Sequence, residues 1–423
     1  MTGGQLARVV GVPGAVLMGL GSILGTGIFV SIGIATGVAG PAVVIAVAIA
    51  ALVAVCNGLS SAQLAASHPV SGGTYEYGYR FLGPTLGFTA GWMFLCAKSA
   101  SAATAALGFA GYALAAADVT DRYARIGGGV ALVLVITAIV AGGMSRSNRT
   151  NTVIVIATLV GLAAFVIAGI PTAVAGAGTH LELGGTRAHD LLHATALMFV
   201  AYTGYGRIAT LGEEVHAPTR TIPRAIIIAL LATMALYAAV VVVAVSSVGA
   251  PVLAAATATS APLEVVAATF RFSEVRYVIA VAAITAMAGV LLNLVLGLSR
   301  VVLAMGRRGD LPPAVAHVER GSPRRAVIVT GVGIAGLVLL GSVKTTWSFS
   351  AFTVLVYYAI TNLAALRLPA EQRRYPRVVS VAGLASCLGL AFFIEPSIWL
   401  AGLGVIGAGL SWHLVIAKRW RAR

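Results

Sequence analysis

The chain has 423 residues, 59% of them apolar and only 10% charged, and its mean hydropathy is +0.97. Soluble globular domains carry about a quarter charged residues, so a water-soluble fold is excluded and a lipid-embedded one is required. The net charge of +15 would suggest nucleic acid in a soluble protein, but no loop shows the basic and aromatic clustering such surfaces use, and no nucleic-acid partner is expected.

A bilayer crossing takes about 20 apolar residues. In chain order, the apolar runs predict twelve spans, at residues 12–37, 41–66, 86–115, 126–144, 151–170, 190–212, 225–248, 277–303, 326–343, 347–368, 378–394 and 397–417. The first run has no small-residue cleavage site behind it and reads as a retained span, not a signal peptide. Basic residues alternate by loop. Arg8, Arg80, Arg146, Arg149, Arg220, Arg224, the group from Arg307 to Arg325, Arg373 to Arg377 and Lys418 to Arg423 fall in one set; the other holds only Arg122, Arg125, Arg187, Arg271, Arg276 and Lys344. The positive-inside rule then puts both termini in the cytoplasm of a multi-pass protein of the plasma (inner) membrane, the parity that twelve spans require. Cys56, Cys96 and Cys387 lie inside spans without metal spacing and read as small packing residues; no metal and no cofactor are expected.

Span 1 contains GSILGTGIFV, residues 21–30, with three glycines and a threonine at mid-membrane. Glycine inside a helix costs up to about 1 kcal/mol against alanine. Five spans later the pattern returns: span 6 carries Tyr202, Thr203, Gly204, Tyr205 and Gly206 near its centre. Close helix packing through small residues is one explanation, and Gly21 with Gly25 fits it. The other is a pair of broken helices. An odd number of spans per repeat turns the second copy upside down, which makes spans 1 and 6 equivalent. A break at that depth leaves backbone groups unpaired unless they face a cavity or ligand. The amides of Thr26, Gly27 and Ile28, opening the second half of span 1, offer donors and positive dipole to a carboxylate. The carbonyls around Phe199 to Tyr202 can accept from an ammonium. Gly25, Thr26 and Gly27 are therefore the candidate carboxylate site, and Val200, Ala201 and Tyr202 the candidate ammonium site. Ile23 and Tyr202 wall a side-chain pocket beside Gly204.

The break GSILGTGIF, the stretch HPVSGGTYEYGYRFLGPTLGFTAGW from His68 to Trp92, ATLGEEVHAPTRTIPRAI from Ala209 to Ile226, and SRVVLAMGRRGDLPP from Ser299 to Pro313 together resemble the amino acid/polyamine/organocation superfamily of permeases, over nearly the whole chain. The resemblance implies an all-α membrane protein with the leucine-transporter type of fold. Its single polytopic domain, 1–423, would hold one five-span repeat at 12–170, an inverted second at 190–368, and two peripheral helices at 378–417. It also implies alternating access to a central amino-acid site. Two departures stand out. Gly206, followed by Arg207, sits where many members have an acid, and Thr158 sits where others have a lysine in span 5 linked to proton coupling.

Lys98 lies about 18 Å into span 3 at 1.5 Å per residue, too deep to snorkel easily. Intramembrane charges usually face a cavity or a partner; a lysine here is either satisfied by neighbouring carbonyls or serves proton coupling or a conformational lock. Arg207 keeps its proton and reads as a structural contact or a gate. Glu213 and Glu214 close span 6 as ion pairs or as a cytoplasmic gate. Asn293 in span 8, and Ser348, Ser350 and Thr353 in span 10, either reach the permeation path or join helices. Thr158 is either a hydroxyl ligand in a sodium site or a position without an ion. No Asp or Glu falls in the central part of any span, so a cationic substrate would approach Lys98 and Arg207 uncompensated, and a neutral amino acid is expected.

The expected activity is secondary amino-acid transport, with a proton or a counter-substrate as the coupled partner. The alternatives are a sodium-coupled symporter and an amino-acid sensor without flux. An enzyme would need a convergent nucleophile, acid/base pair or metal set inside the bundle, and the spans offer none.

Overall fold

The computed structural model describes residues 10–70, 72–117, 119–143, 148–182, 184–211, 215–318 and 322–417. Among these the chain is helical, with no strand and one isolated backbone bridge, from Val10 to Val215. Eight of the described helices are long and apolar enough to cross a membrane, and two shorter apolar helices, Val12–Ile23 and Arg377–Ala391, accompany them. Such helices are apolar all round, because in lipid every backbone donor and acceptor must be satisfied within its own segment.

The helices follow the apolar runs. They are α1 (Val12–Ile23), α2 (Thr26–Phe29), α3 (Ser31–Ala39), α4 (Val43–Ser67), a polar α5 (Thr74–Phe81), α6 (Pro84–Ala115), α7 (Arg122–Ala141), α8 (Asn148–His180), α9 (Ala188–Tyr202), α10 (Gly206–Ala209), α11 (Pro218–Ala255), α12 (Pro262–Ala267), α13 (Val275–Arg307), α14 (Arg324–Val338), α15 (Val343–Leu366), α16 (Arg377–Ala391) and α17 (Pro396–Ser411). Prolines open α6, α11 and α17, where the missing N–H has no helical partner to lose. Asp121 caps α7 and Ser342 caps α15 by accepting from the amides of Ala124 and Thr345. α8 continues past the expected end at residue 170, through Pro171, to His180, since the alanine-rich stretch that follows still favours helix.

The first expected break is present. α1 stops at Ile23, Leu24 turns to φ −76°, ψ 101°, and Gly25 is extended at φ −179°, ψ −129° before α2 restarts at Thr26. A second discontinuity at Val30, φ −124°, ψ −48°, separates α2 from α3. In span 6 the expected break takes another form. α9 passes through a single 3-10 turn, Thr203–Tyr205, into α10, and the backbone stays right-handed and helical throughout. That stretch tightens instead of opening, so few of its polar groups are released.

α6 packs against α13 and α15, α11 against α4 and α8, and α1 against α8, α11 and the 3-10 turn of span 6. Three segments remote in sequence meet near the start of α5. The wholly buried carboxylate of Asp310, which follows α13, accepts from Tyr75 at 2.7 Å and Tyr79 at 2.6 Å, and the Trp412 indole after α17 donates to the Asp310 carbonyl at 2.9 Å.

Candidate substrate site

A cavity of about 190 Å³ lies between spans 1, 3, 6, 8 and 10. Ser22, at the end of α1, and Gly204, in the 3-10 turn, bound it together with Lys98, Thr203, Arg207, Asn293 and the aromatic rings of Tyr75, Phe94, Tyr357 and Tyr358. Arg300 and Ala304 of α13 belong both to this cavity and to a groove that continues past Glu76, Arg307 and Arg308. The cavity thus runs from the level of Ser22 and Gly204 toward the end of the bundle that carries α5.

Lys98 is the deepest cation in its wall. Its ammonium donates to Thr203 Oγ1 at 3.0 Å, and that hydroxyl donates to the Val200 carbonyl at 2.8 Å. Tyr358 donates to the Thr203 carbonyl at 3.2 Å. A charge this far from water requires such partners, and Thr203 supplies one because the tightened turn carries its side chain toward α6. Asn293 donates to the Gly21 carbonyl at 3.3 Å, tying α13 to the last turn of α1. Arg207 Nη1 lies 3.5 Å from Thr210 Oγ1.

Ile23, Gly25, Thr26, Gly27, Val200, Ala201 and Tyr202 are buried and do not line the cavity. The reason is close approach. A Cβ on Gly204 would stand 2.3 Å from the Ser22 carbonyl oxygen, and one on Gly27 would stand 2.7 Å from the Ala201 Cα. The two rods are in backbone contact at both levels, which only glycine allows. The Thr26 hydroxyl, although buried, has no hydrogen-bond partner among the described residues. Unpaired buried donors are uncommon in folded proteins. On the span 6 side the groups are better satisfied: Val200 accepts from Thr203, and Ala201 lies 3.4 Å from the Tyr237 hydroxyl.

Thr158 is buried, but its hydroxyl donates to the Ile154 carbonyl of its own helix at 2.8 Å, and it does not line the cavity. Ser350 joins α15 to α6 by donating to the Ala97 carbonyl at 2.9 Å. Glu213 and Glu214 lie outside the described residues. The apolar pattern of span 7 concealed Tyr237, whose hydroxyl donates to the Ile23 carbonyl at 2.9 Å and so satisfies the end of α1. The available signal was a phenol deep in an otherwise apolar run, since a buried tyrosine hydroxyl needs a partner.

Apolar helices around a largely apolar cavity that holds Lys98, Arg207 and Arg300, beside one interrupted rod, describe a membrane protein that passes solutes. The chain belongs to the amino acid permease family, whose sequence model matches residues 14–420. It is 40% identical to an uncharacterised transporter of Mycobacterium tuberculosis, over 96% of this chain and 91% of the relative. It is 29% identical to the methylthioribose transporter of Bacillus subtilis, over 98% of this chain and 94% of that one. It is 27% identical to the branched-chain amino acid permease BcaP of the same organism, over 92% and 86%. The family and these relatives are transporters, not enzymes.

Proposed function

We propose that the protein carries neutral amino acids across the plasma (inner) membrane by alternating access, with both termini in the cytoplasm. In this reading, twelve spans form two inverted five-span repeats, at 12–170 and 190–368, with peripheral helices at 378–417. The cavity beside α5 is then the inward vestibule.

The observation that carries the reading is the break itself: α1 stops at Ile23 and the helix resumes at Thr26, whose buried hydroxyl has no partner among the described residues. Amides there present donors and a positive dipole to a carboxylate. Gly25, Thr26 and Gly27 take the substrate carboxylate; the carbonyls of Val200, Ala201 and Tyr202 take its ammonium; Ile23 and Gly204 bound the side chain. Separation of the backbone contacts at Gly27 and Gly204 is the step that admits substrate from the vestibule.

Lys98 couples the cycle to a proton or to an exchanged substrate. It faces the vestibule while bonded to the turn that must move. Arg207 and Asn293 act as gating contacts on the same cavity. A sodium site at Thr158 is the weaker alternative, because that hydroxyl is already used by its own helix.

The test is counterflow in proteoliposomes. Preloading with leucine, alanine or serine should drive accumulation of the labelled amino acid, and arginine or putrescine should not. The branched-chain permease among the relatives makes leucine, isoleucine and valine the first solutes to try, with methylthioribose as a solute outside the amino acids. Binding without counterflow would make the protein a sensor. Counterflow of methylthioribose alone would remove amino acids from the reading.

A further inference from the structure

Among the described residues the cavity wall contains Lys98, Arg207 and Arg300 and no aspartate or glutamate. The described acids near it are otherwise engaged. Glu76, at the outer groove, is held by Arg308 at 2.8 and 3.0 Å. Asp310 sits behind Tyr75, fully buried, and accepts from Tyr75 and Tyr79 while His413 lies 3.4 Å away. Neither carboxylate faces the cavity.

Two of the cations have capacity to spare. The Lys98 ammonium has three donors, and its one hydrogen-bond partner among the described residues is the neutral hydroxyl of Thr203. Arg300, exposed where cavity and groove join, has no hydrogen-bond or ion-pair partner among the described residues. The Lys98 charge also lies close to the carbonyls proposed for the substrate ammonium, because its partner Thr203 donates to the Val200 carbonyl. A bound zwitterion therefore puts a second cation beside Lys98 and brings no compensating charge on its side chain. A carboxylate on that side chain would lie between the two cations, replacing repulsion with attraction in a site partly shielded from water.

We propose that the cavity also accepts amino acids with an acidic side chain, and prefers each to its uncharged amide, with Lys98 and Arg300 as the groups that receive the second carboxylate. This rests on the amino-acid transport reading above and extends its substrate range.

The experiment is competition in proteoliposomes exchanging labelled leucine or serine, with aspartate against asparagine and glutamate against glutamine as unlabelled competitors. Each pair keeps shape and removes one charge. The expected result is an inhibition constant at least about tenfold lower for one acid than for its amide, the factor that one modest charge interaction confers. Labelled aspartate or glutamate should exchange as well. In Lys98→Gln or Arg300→Gln the acid-to-amide ratio should fall toward one. The ratio is read within each variant, and the comparison in the parent protein decides the matter even if a variant does not insert. Amides competing as well as or better than both acids, with leucine or serine exchange intact, would overturn the proposal alone. Absence of exchange for every amino acid would overturn the transport reading and this inference with it.

Discussion

Lys98 of α6 donates to Thr203 Oγ1, 3.0 Å away, in the 3-10 turn of span 6. A deep cation is thereby fastened to the segment whose movement would release substrate. Replacing Thr203 with valine keeps the shape and removes the acceptor. Because hydrogen bonds to charged groups contribute about 1.5–3 kcal/mol, Thr203→Val should lower the melting temperature of the detergent-solubilised protein. An unchanged melting temperature would show that the ammonium has another adequate partner.

The same lysine sets a prediction for coupling. In the parent protein an inward proton gradient should stimulate uptake and an imposed sodium gradient should not. Lys98→Ala should lose the pH response while retaining some exchange. Sodium stimulation in both proteins would transfer the coupling role elsewhere.

The glycines that bring spans 1 and 6 into backbone contact should not tolerate side chains. A Cβ at Gly204 would meet the Ser22 carbonyl at 2.3 Å, and the opposing atoms are backbone, which cannot rotate away. Overpacking of this kind costs about 1–3 kcal/mol. Gly204→Ala and Gly27→Val should insert in the membrane yet lose substrate binding, measured by scintillation proximity or by ligand-induced thermal shift. Parental affinity in Gly27→Val would remove that residue from the site.

Tyr237→Phe deletes one oxygen and leaves the Ile23 carbonyl without its 2.9 Å donor. An acceptor stranded in the interior costs about 1–3 kcal/mol. Thermal unfolding of this variant should shift downward, and the shift should shrink when substrate or a competitor holds the break together. No shift at all would mean that the Ile23 carbonyl finds another donor.

The opposite end of the bundle supplies a pH prediction. Glu395, in the turn between α16 and α17, lies 3.2 Å from His193 of α9 and 3.2 Å from Lys344 at the start of α15. Burial alone would raise its carboxyl, but the hydrogen bond and charge of His193, the local backbone amide and Lys344 outweigh this and hold it down to about 2. A carboxyl depressed in the folded state stabilises the fold above its ordinary unfolded value, and that contribution is lost as pH falls toward 2. Melting temperature should therefore drop between about pH 5 and pH 3, and Glu395→Gln should flatten this part of the profile. An identical profile in the variant would rule out Glu395 as its source.

The sequence carried the helices well because hydrocarbon imposes a simple rule on them. The run at 86–115 became Pro84–Ala115, and the run at 347–368 became Val343–Leu366. The interruption at Gly25 was legible as one of two readings of the three glycines; the other, close packing through small residues, is also present at Gly27. Span 6 was harder. Tyr202 to Gly206 can open or tighten, and the outcome depends on partners from other helices: Lys98 and Tyr358 at Thr203, and Tyr237 near Ala201. The cavity was legible only in part, through the polar residues Lys98, Arg207 and Asn293 inside apolar spans. Its wall combines Ser22, Lys98, Asn293 and Arg300 from three helices, and no local pattern marks residues that meet only after packing.

Tyr75 walls the vestibule and also hangs on Asp310, which is moored in turn to Trp412, where a π-helical turn continues α17. The vestibule and the far end of α17 are thus geared together. A swing of α5 that widens the vestibule must either tow the turn at Trp412 or snap its tether, so a fluorophore placed after Ser411 should report the working stroke of the transporter from outside the pathway.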